Sequence, residues 1–584
     1  MTSNDLVTRD EGEEASSAAV ALATITLPIV RAPRMRRSPS ARRLPSWRQD
    51  PWFLGLMLVA FCASVASIWS AYATHTILLY GDAHSHLLIA RRIFDAARPG
   101  LAQLGNVWLP LPHLIMIPLA WNDFLWRSGL AGSLSSMVCY LIAVCYVYFT
   151  AQRLIWNNSA AFIGTLVFAL NPNILYLQST PLSEPALFAT LAASSYYLIA
   201  WAQDERLLDL ALTALSLFLS TISRYDGWAL YLAVLACVAL ITWSKRKGYG
   251  DQVAYLSTVG TLGGVGIFLW FIWNWIIFGS PTDFLNGPFS SSQQTKSFIA
   301  KGYAATYHNL WMSLWTYSAA SAESIGPAIF ALGVAAVVAF FAARRISPEA
   351  LAALTLLVPF AFYVVAFYTG QDVMYVPHAN TPPYFFYNAR FGAEMAAPAA
   401  VFIATLTDWV ATRLPLGNIL LMLAIGAQLV TTSWGGVISL QDGQYGLSCY
   451  PGHPVVAYLA EHYNGGKVLV DLYHTQIDFS SSGIPFRNEI YEGDQSLWNQ
   501  ALIAPAQYAD WVIVLKGDMV SQHINIHSSS FLQQYVLVAQ DNVQGATAVQ
   551  LFHRRGLPPL PNRPLPGDVI TPYLACDAAK GIAP

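Results

Sequence analysis

The chain reads Tyr-Gly-Asp-Ala-His-Ser-His-Leu-Leu-Ile-Ala-Arg-Arg over residues 80–92, shortly after an apolar stretch, 52–73, that is long enough to cross a bilayer. Acidic, imidazole and guanidinium groups therefore lie together where the chain leaves a predicted membrane span. Ionisable groups at such a place usually serve a function. The alternative is that these charges only solvate a helix at the membrane surface.

A helix over 83–95 orders these groups along one axis. Asp82 and His86 are four residues apart and share a face of that helix. Arg91 and Arg92 lie about two turns further on, roughly 13 Å from Asp82. A ligand with a reacting group at one end and a phosphate at the other spans that distance.

The composition indicates a membrane protein. The chain has 584 residues, of which 55% are hydrophobic and 11% are charged, and its mean hydropathy is +0.43. These values are typical of a chain with many membrane spans and some soluble mass. The net charge of -2 says nothing about a polyanionic partner, but the lack of a basic segment rich in aromatic residues argues against nucleic acid.

Residues 1–50 are predicted to form a disordered, basic, cytoplasmic tail. They begin acidic and then carry seven arginines between Arg31 and Arg48, interrupted by prolines. Arginine clusters next to a span resist translocation, so the N-terminus is expected in the cytoplasm.

Apolar segments after the tail predict about eleven transmembrane helices in a multi-pass protein of the cytoplasmic membrane. The predicted spans are 52–73, 130–150, 159–177, 184–202, 207–222, 227–243, 253–278, 324–343, 349–368, 391–408 and 415–434. An odd number of spans places the C-terminal part of the chain outside the cytoplasm. Short connections rich in Arg and Lys on the cytoplasmic side agree with this orientation.

This topology divides the rest of the chain into a transmembrane domain, 51–440, and an extracytoplasmic domain, 441–584. The outer connections are long and polar: 74–129, 279–323 and 369–390. Acidic residues from four separate connections lie at the same outer face: Asp82, Glu184, Asp226 and Asp372. The outer face is therefore expected to carry the chemistry.

The pattern changes in the C-terminal segment. A helix over 455–463 and several buried-strand patterns predict a small α/β domain. The predicted strands are 467–471, 511–515, 535–539 and 547–551. Cys449 and Cys576 bracket this domain in an oxidising compartment, so they are predicted to form a disulfide. Unpaired thiols on loose ends are the alternative.

Several short motifs follow one another at the outer ends of the predicted spans. They are Asp82-Ala-His-Ser-His-Leu-Leu-Ile-Ala-Arg91, Trp108-Leu-Pro-Leu-Pro-His113, Asn171-Pro172, Pro181-Leu-Ser-Glu184-Pro185 and Ser223-Arg-Tyr-Asp226-Gly-Trp228. The first is similar to a D-E-x-R-Y-A-E-I-A-R pattern, and the second stands where a K-P-P-L-like segment is found. In these motifs the chain resembles the GT-C superfamily of membrane glycosyltransferases, in particular the aminoarabinose transferase and protein O-mannosyltransferase group.

The resemblance implies a polytopic, GT-C-like helical fold. It also implies transfer of a sugar from a polyprenyl-phosphate carrier to a lipid, glycan or protein acceptor at the outer face, with Asp82 as the general base of an inverting reaction. The lysine of the K-P-P-L-like segment is missing here. His113 and Arg92 are the candidates to replace its contact with the phosphate.

The chemistry of such a transfer assigns further candidate residues. A carboxylate takes the proton of the acceptor, and cations hold the departing phosphate. Glu184 and Asp226 are additional candidate catalytic residues, although each also suits the N-terminus of a span. Arg91, Arg224 and Arg390 are candidates for the phosphate, because a guanidinium group binds phosphate oxygens bidentately.

Four residues are candidates for contact with the substrates. His86 shares a helix face with Asp82, and Trp108 is able to stack on a sugar ring. Lys296 and Lys301 lie in a polar outer loop that could close over the donor. The alternatives are solvated loop lysines and, for most tryptophans, an aromatic belt at the membrane interface.

A metal site is a weak alternative for the motif that opens the first outer loop. On a helix, His84 and His86 lie about 200° apart and do not both face an ion bound by Asp82. Asp82 with His86 is the remaining pair of ligands for a divalent ion. A divalent metal is therefore the one cofactor considered, and the sequence does not favour it.

Functions from two other classes fit a membrane protein of this size. A secondary transporter places ionisable groups near the midplane and often has two similar halves, whereas the acids here lie at outer ends and no repeat is evident. A noncatalytic receptor acting through residues 450–584 does not need Asp82.

Overall fold

The computed structural model describes residues 49–558 apart from the segments 288–289, 380–385, 412–415, 446–453, 476–483 and 544–546. All described residues belong to one compact unit. The predicted tail and the predicted Cys449–Cys576 disulfide lie outside the described residues and stay predictions.

The described chain before residue 446 is helical. Its helices are α1 Pro51–Ala73, α2 Gly81–Arg92, α3 Leu111–Ala120, α4 Asp123–Arg127, α5 Leu130–Ile155, α6 Asn158–Ala169, α7 Pro172–Leu177, α8 Glu184–Asp204, α9 Leu207–Thr221, α10 Asp226–Ser244, α11 Tyr249–Phe278, α12 Asp283–Asn286, α13 Ser291–Ala300, α14 Leu310–Ile325, α15 Pro327–Arg344, α16 Pro348–Ala353, α17 Val358–Thr369, α18 Ala396–Ala411, α19 Gly417–Trp434 and α20 Ile438–Tyr445. The 3₁₀ turns are Leu101–Leu104, Leu354–Leu357, Pro377–Ala379 and Ala389–Met395.

Nine helical segments in the described part are long and apolar enough to cross a membrane, so the chain is a multi-pass membrane protein. They are Pro51–Ala73, Leu130–Ile155, Glu184–Asp204, Asp226–Ser244, Tyr249–Phe278, Pro327–Arg344, Pro348–Thr369, Ala389–Ala411 and Gly417–Gln444. We call the end of this bundle at which Glu184 and Asp226 lie the loop end. The sequence predicts that this end is the outer one.

The predicted count of eleven spans is not confirmed. The segment predicted as 159–177 is two shorter helices, α6 and α7. The side chain of Asn171 accepts hydrogen bonds from the backbone N–H groups of Asn173 and Ile174, so a new helix begins at Pro172. The segment predicted as 207–222 is the 15-residue helix α9.

Small residues let the central helices pack closely. A methyl group added to Gly164 of α6 lies 2.5 Å from the Cβ of Ala404 in α18. Only a residue without a side chain fits at such a distance. The backbone of α6 therefore contacts a side chain of α18 directly. Helix α18 packs against α5, α6 and α15.

The C-terminal part is a small α/β domain, as predicted. Its helices are α21 Pro454–His462, α22 Leu472–Thr475, α23 Ser496–Ile503, α24 Pro505–Tyr508, α25 Met519–His523 and α26 Ser529–Gln534. Its strands are β1 Val468–Leu469, β2 Glu489–Ile490, β3 Trp511–Leu515, β4 Tyr535–Val543 and β5 Thr547–Arg554. The sheet order is β2-β1-β3-β5-β4, in which β2, β1 and β3 are parallel and β3, β5 and β4 are antiparallel.

The α/β domain packs on the segment between α1 and α5. The ring of Trp126 meets the edge of Phe486 at a centroid distance of 5.2 Å, and Arg92 forms an ion pair with Glu489 at 3.1 Å. One hydrophobic cluster contains buried residues of both parts, among them Leu87 and Trp511. The domain therefore lies at the loop end of the bundle.

Candidate active site

Helix α2 carries the motif that opens the first long loop. It spans Gly81–Arg92, which confirms the predicted helix apart from its last residues. Asp82 lies in the first turn, where the positive end of the helix dipole favours a carboxylate. Its side chain is 40% exposed.

Arg390 connects three acidic residues at the loop end. Its guanidinium group donates to Asp82 through Nη2 and to Glu184 through Nε at 2.9 Å. Its backbone N–H donates to Asp442 at 3.3 Å, and its guanidinium carbon lies 4.7 Å from the centre of the Tyr80 ring. The side chain is 6% exposed, so its charge is balanced within the protein.

Arg224 forms the second half of the cluster. It pairs with Glu184 at 3.2 Å and with Asp226 at 3.4 Å, and it donates to the Tyr363 hydroxyl at 3.0 Å. Glu184 is fully buried and contacts both arginines. The structure thus brings together five predicted site residues: Asp82, Glu184, Asp226, Arg224 and Arg390.

A glycine positions Asp226 beside Arg224. A methyl group on Gly227 lies 2.2 Å from the carbonyl oxygen of Ser220. Glycine at this place lets the start of α10 approach the end of α9 closely. The acid and the arginine therefore meet across one tight connection.

Two buried acids of this cluster were missed by the sequence reasoning. Glu394 accepts a hydrogen bond from Tyr363 at 2.7 Å and lies 4.0 Å from Arg224. Asp442 accepts from the Tyr80 hydroxyl at 3.2 Å. A signal for Glu394 was present, because an acid in an apolar span is a functional candidate and it follows Arg390 by four residues.

A further chain of hydrogen bonds reaches Arg390 from the preceding loop. Asn388 accepts from Arg390 Nη1 at 3.2 Å and donates through Nδ2 to Asp372 at 3.2 Å and to the carbonyl oxygen of Val373 at 3.2 Å. Asn388 has φ 55°, which asparagine tolerates better than most residues. Burial raises the pKa of Asp372 to about 6, although Arg390 and Arg224 lower it.

The carboxyl groups outnumber the guanidinium groups. Two arginines, Arg224 and Arg390, face five acids: Asp82, Glu184, Asp226, Glu394 and Asp442. Among the described residues, no group of three or more His, Cys, Asp or Glu side chains is placed to hold a metal ion. Asp82 differs from Glu184, Asp226, Glu394 and Asp442 in its exposure, because those four are at most 3% exposed.

Two histidines and a tryptophan form a second, neutral cluster next to the first. His86 Nδ1 and His113 Nε2 are 2.8 Å apart, and the Trp108 ring lies 4.8 Å from His86. Burial lowers the pKa of His86 to about 4, against the opposing effect of Asp82 and Glu184. Burial and the neighbouring His86 lower the pKa of His113 well below its usual value, so both rings are neutral near pH 7.

The sequence comparisons find no match, whereas the comparison with solved structures finds a similar fold. No family model and no curated protein matches the chain. The structure of ArnT from Cupriavidus metallidurans bound to undecaprenyl phosphate is 11% identical, with 86% of this chain and 98% of that chain covered at a TM-score of 0.50. The chain has a GT-C-like fold.

Two other solved structures have lower scores. The apo form of the same ArnT is 11% identical, with a TM-score of 0.47. The alignment covers 85% of this chain and 97% of that chain. The Archaeoglobus fulgidus oligosaccharyltransferase, in a complex with Zn and sulfate, is 12% identical, with a TM-score of 0.43. The alignment covers 78% of this chain and 67% of that chain.

Some predicted site residues lie away from the cluster in this GT-C-like fold. Arg91 pairs with Asp95 at 3.2 Å and with Asp123 at 2.7 Å, and Arg92 pairs with Glu489. Both guanidinium groups are thus engaged at the far end of α2. Asp95 follows Arg91 by four residues, so that pair was visible in the sequence. The partner of Arg92 was not, because Glu489 follows in a separate domain.

The two loop lysines also lie apart from the acids. Lys296 is an exposed residue of α13 and donates to Gln293 at 3.2 Å, and Lys301 is exposed at the end of that helix. Neither forms an ion pair with another described residue. Their contact with a substrate stays a prediction.

Proposed function

We propose that the chain is a glycosyltransferase that moves a sugar from a polyprenyl-phosphate carrier to a lipid, glycan or protein acceptor. The reaction takes place at the outer face of the cytoplasmic membrane, inverts the anomeric centre and uses Asp82 as general base. The N-terminus lies in the cytoplasm and the α/β domain outside it. The observation that carries the proposal is the half-exposed carboxylate of Asp82 on the buried guanidinium of Arg390.

The donor class follows from the fold and from the cations. The ArnT structure that shares the fold holds undecaprenyl phosphate. Arg390 and Arg224 lie at the loop end, where the phosphate of a membrane-embedded carrier is found, and guanidinium groups bind phosphate oxygens in pairs. These features support a polyprenyl phosphate as the leaving group.

The assignment of the base rests on exposure. Asp82 is 40% exposed, whereas the side chain of Glu184 is fully buried and that of Asp226 is 3% exposed. An acceptor hydroxyl can reach only a carboxylate that is open to it. Glu184 and Asp226 therefore hold Arg224 and Arg390 in place and are not bases.

The transfer is a single displacement. The acceptor hydroxyl gives its proton to the carboxylate of Asp82 while its oxygen forms a bond to the anomeric carbon. The bond between that carbon and the phosphate oxygen breaks, and the electron pair leaves with the polyprenyl phosphate. Attack opposite the leaving group inverts the configuration.

Donor binding and access to the base are coupled through Arg390. In the free protein its guanidinium pairs with Asp82. A donor phosphate competes for the same guanidinium. The carboxylate of Asp82 is then released from this contact and is open to the acceptor hydroxyl.

The test compares donor binding with transfer in the purified protein. Asp82→Asn keeps the size of the side chain and removes the proton acceptor, so transfer of radiolabelled sugar from polyprenyl-phosphate donors should fall by about 10²–10⁴-fold. Undecaprenyl phosphate should still bind. Asp251→Asn, an exposed carboxylate at the other end of the bundle, is the matched control. Transfer by Asp82→Asn at the parent rate overturns the assignment of the base.

A further inference from the structure

We propose that a pocket between helices α2–α4 and the α/β domain binds a sugar unit of a glycan acceptor. The pocket has a volume of about 560 Å³, and its lining residues come from the end of α2 and the turn after it, from Trp121 and α4, and from segment 484–487. The inference rests on the proposed function, because it names the class of acceptor. The pocket is separate from the cluster of Asp82 and Arg390, which are not among its lining residues.

The aromatic wall of the pocket offers a stacking surface. Trp121 is 67% exposed although its ring lies 4.7 Å from that of Phe94. Trp126 is 4% exposed, and the guanidinium carbon of Arg91 lies 4.9 Å from its ring centre. The apolar face of a sugar ring is suited to an exposed indole.

The polar groups of the pocket are planar donors and acceptors. Asp123 pairs with Arg91 and is 66% exposed, so its carboxylate has capacity for further hydrogen bonds. Arg487 is exposed and has no ion-pair partner among the described residues. Neighbouring hydroxyl groups of a sugar satisfy such groups in pairs.

The chemistry of the pocket favours a sugar over a lipid head group. Three arginines and two carboxylates, Asp95 and Asp123, line the pocket, and both carboxylates pair with Arg91. The hydroxyl groups of a sugar ring accept hydrogen bonds from the arginines and donate hydrogen bonds to the carboxylates. The mixed charge therefore suits a polyol better than it suits an anion.

The position of the pocket fits an extended acceptor. Helix α2 bears Asp82 in its first turn and Arg91 in its last, and the rise of a helix separates these residues by roughly 13 Å. A short oligosaccharide spans that distance. Its accepting hydroxyl then lies at Asp82 while a more distant sugar unit occupies the pocket.

The test uses the full chain in lipid nanodiscs on an array of defined neutral and acidic oligosaccharides. The parent protein should bind a subset of these glycans, and Trp121→Ala should weaken that binding about tenfold through loss of the stacking contact. Arg487→Ala should weaken it too. Trp434→Ala removes an indole that is 86% exposed and lies outside the pocket, so it should bind like the parent.

Two further measurements separate this inference from the proposed function. Asp82→Asn should keep the part of glycan binding that Trp121→Ala removes, since Asp82 does not line the pocket. Undecaprenyl phosphate should bind equally to the parent and to Trp121→Ala. The inference fails if no glycan binds, if Trp121→Ala and Trp434→Ala bind alike, or if Trp121→Ala instead reduces binding to phosphatidylglycerol vesicles. Glycan-dependent binding without any sugar transfer contradicts the proposed function and leaves the pocket assignment intact.

Discussion

The guanidinium group of Arg390 holds Asp82 and Glu184 at once, through Nη2 and through Nε at 2.9 Å. The two acids begin different helices, α2 and α8, and differ in exposure: Glu184 is fully buried and Asp82 is 40% exposed. The buried acid fixes the arginine because an unpaired charge at this depth is costly. The exposed acid is the partner that a ligand is able to displace.

The first prediction concerns the shape of that guanidinium. Arg390→Lys keeps the charge but loses the planar fork that reaches two carboxylates. We expect it to weaken binding of undecaprenyl phosphate by tenfold or more, and we expect Arg390→Ala to weaken both binding and turnover further, since a phosphate contact acts before and during bond cleavage. Arg345→Ala, an exposed cation at the opposite end of the bundle, is the control. Parent affinity in Arg390→Ala removes this residue from the donor site.

The second prediction concerns pH. The pKa of Asp372 is raised to about 6 from 3.8, and its carboxylate accepts from Asn388, which in turn accepts from Arg390. Deprotonation of Asp372 strengthens the hydrogen bond that orients the Asn388 amide. Transfer should therefore rise with an inflection near pH 6, and Asp372→Asn should lose that inflection.

The same group affects stability in the opposite direction. A carboxyl group whose pKa is raised on folding holds its proton more tightly in the folded state, so the fold loses stability as pH rises from about 4 to about 6. Asp372→Asn removes this loss. As the pH rises across that range, the unfolding temperature of Asp372→Asn should increasingly exceed that of the parent. The unfolding temperature of Asp251→Asn should follow that of the parent.

The third prediction concerns topology. Seven arginines of the tail resist translocation, and an odd number of crossings inverts the C-terminal domain. Reporter fusions at residues 45 and 500 should therefore lie on opposite sides of the membrane. Both reporters on one side contradict the proposed outer active face.

The sequence predicted much of the fold and part of the site. The strand patterns around Val468, Trp511 and Thr547 and the spacing of Asp82 and His86 are local signals, and the structure contains these strands and this helix. The convergence of Glu184 and Arg390 was not visible, since it depends on how the first turn of α8 meets the 3₁₀ turn Ala389–Met395. The predicted spans showed only that several acidic residues, Glu184 among them, lie at the same face of the membrane.

The spans show where local signals mislead. Apolar composition alone joins α6 and α7 into one segment, but Asn171 and Pro172 start a new helix. Asp442 lies beyond the last predicted span, so nothing marked it as a neighbour of Tyr80. Likewise, Arg91 and Arg92 carry the charge expected of phosphate ligands, whereas their partners Asp123 and Glu489 are residues that the sequence pattern does not connect with them.

The last prediction concerns the contact that holds the α/β domain to helix α2. Arg92 is 9% exposed and Glu489 is 1% exposed in their side chains, and the guanidinium of Arg92 also lies over the rings of Phe486 and Tyr491 at 5.0 and 4.1 Å. Removing one partner leaves a buried charge without compensation. Arg92→Met or Glu489→Leu alone should therefore destabilise the protein by about 3–5 kcal/mol.

The double variant distinguishes a loss of charge balance from a loss of packing. Arg92→Met with Glu489→Leu removes both charges and keeps apolar volume, so it should recover much of the stability that either single change loses. Thermal unfolding measures the cycle, and limited proteolysis reports whether the α/β domain separates from the loop end. Since Asp82 lies in the first turn of α2, a loosened domain should also reduce sugar transfer while the affinity for undecaprenyl phosphate stays near that of the parent. Additive losses in the double variant contradict a coupled ion pair and leave Phe486 and Tyr491 as the source of the contact.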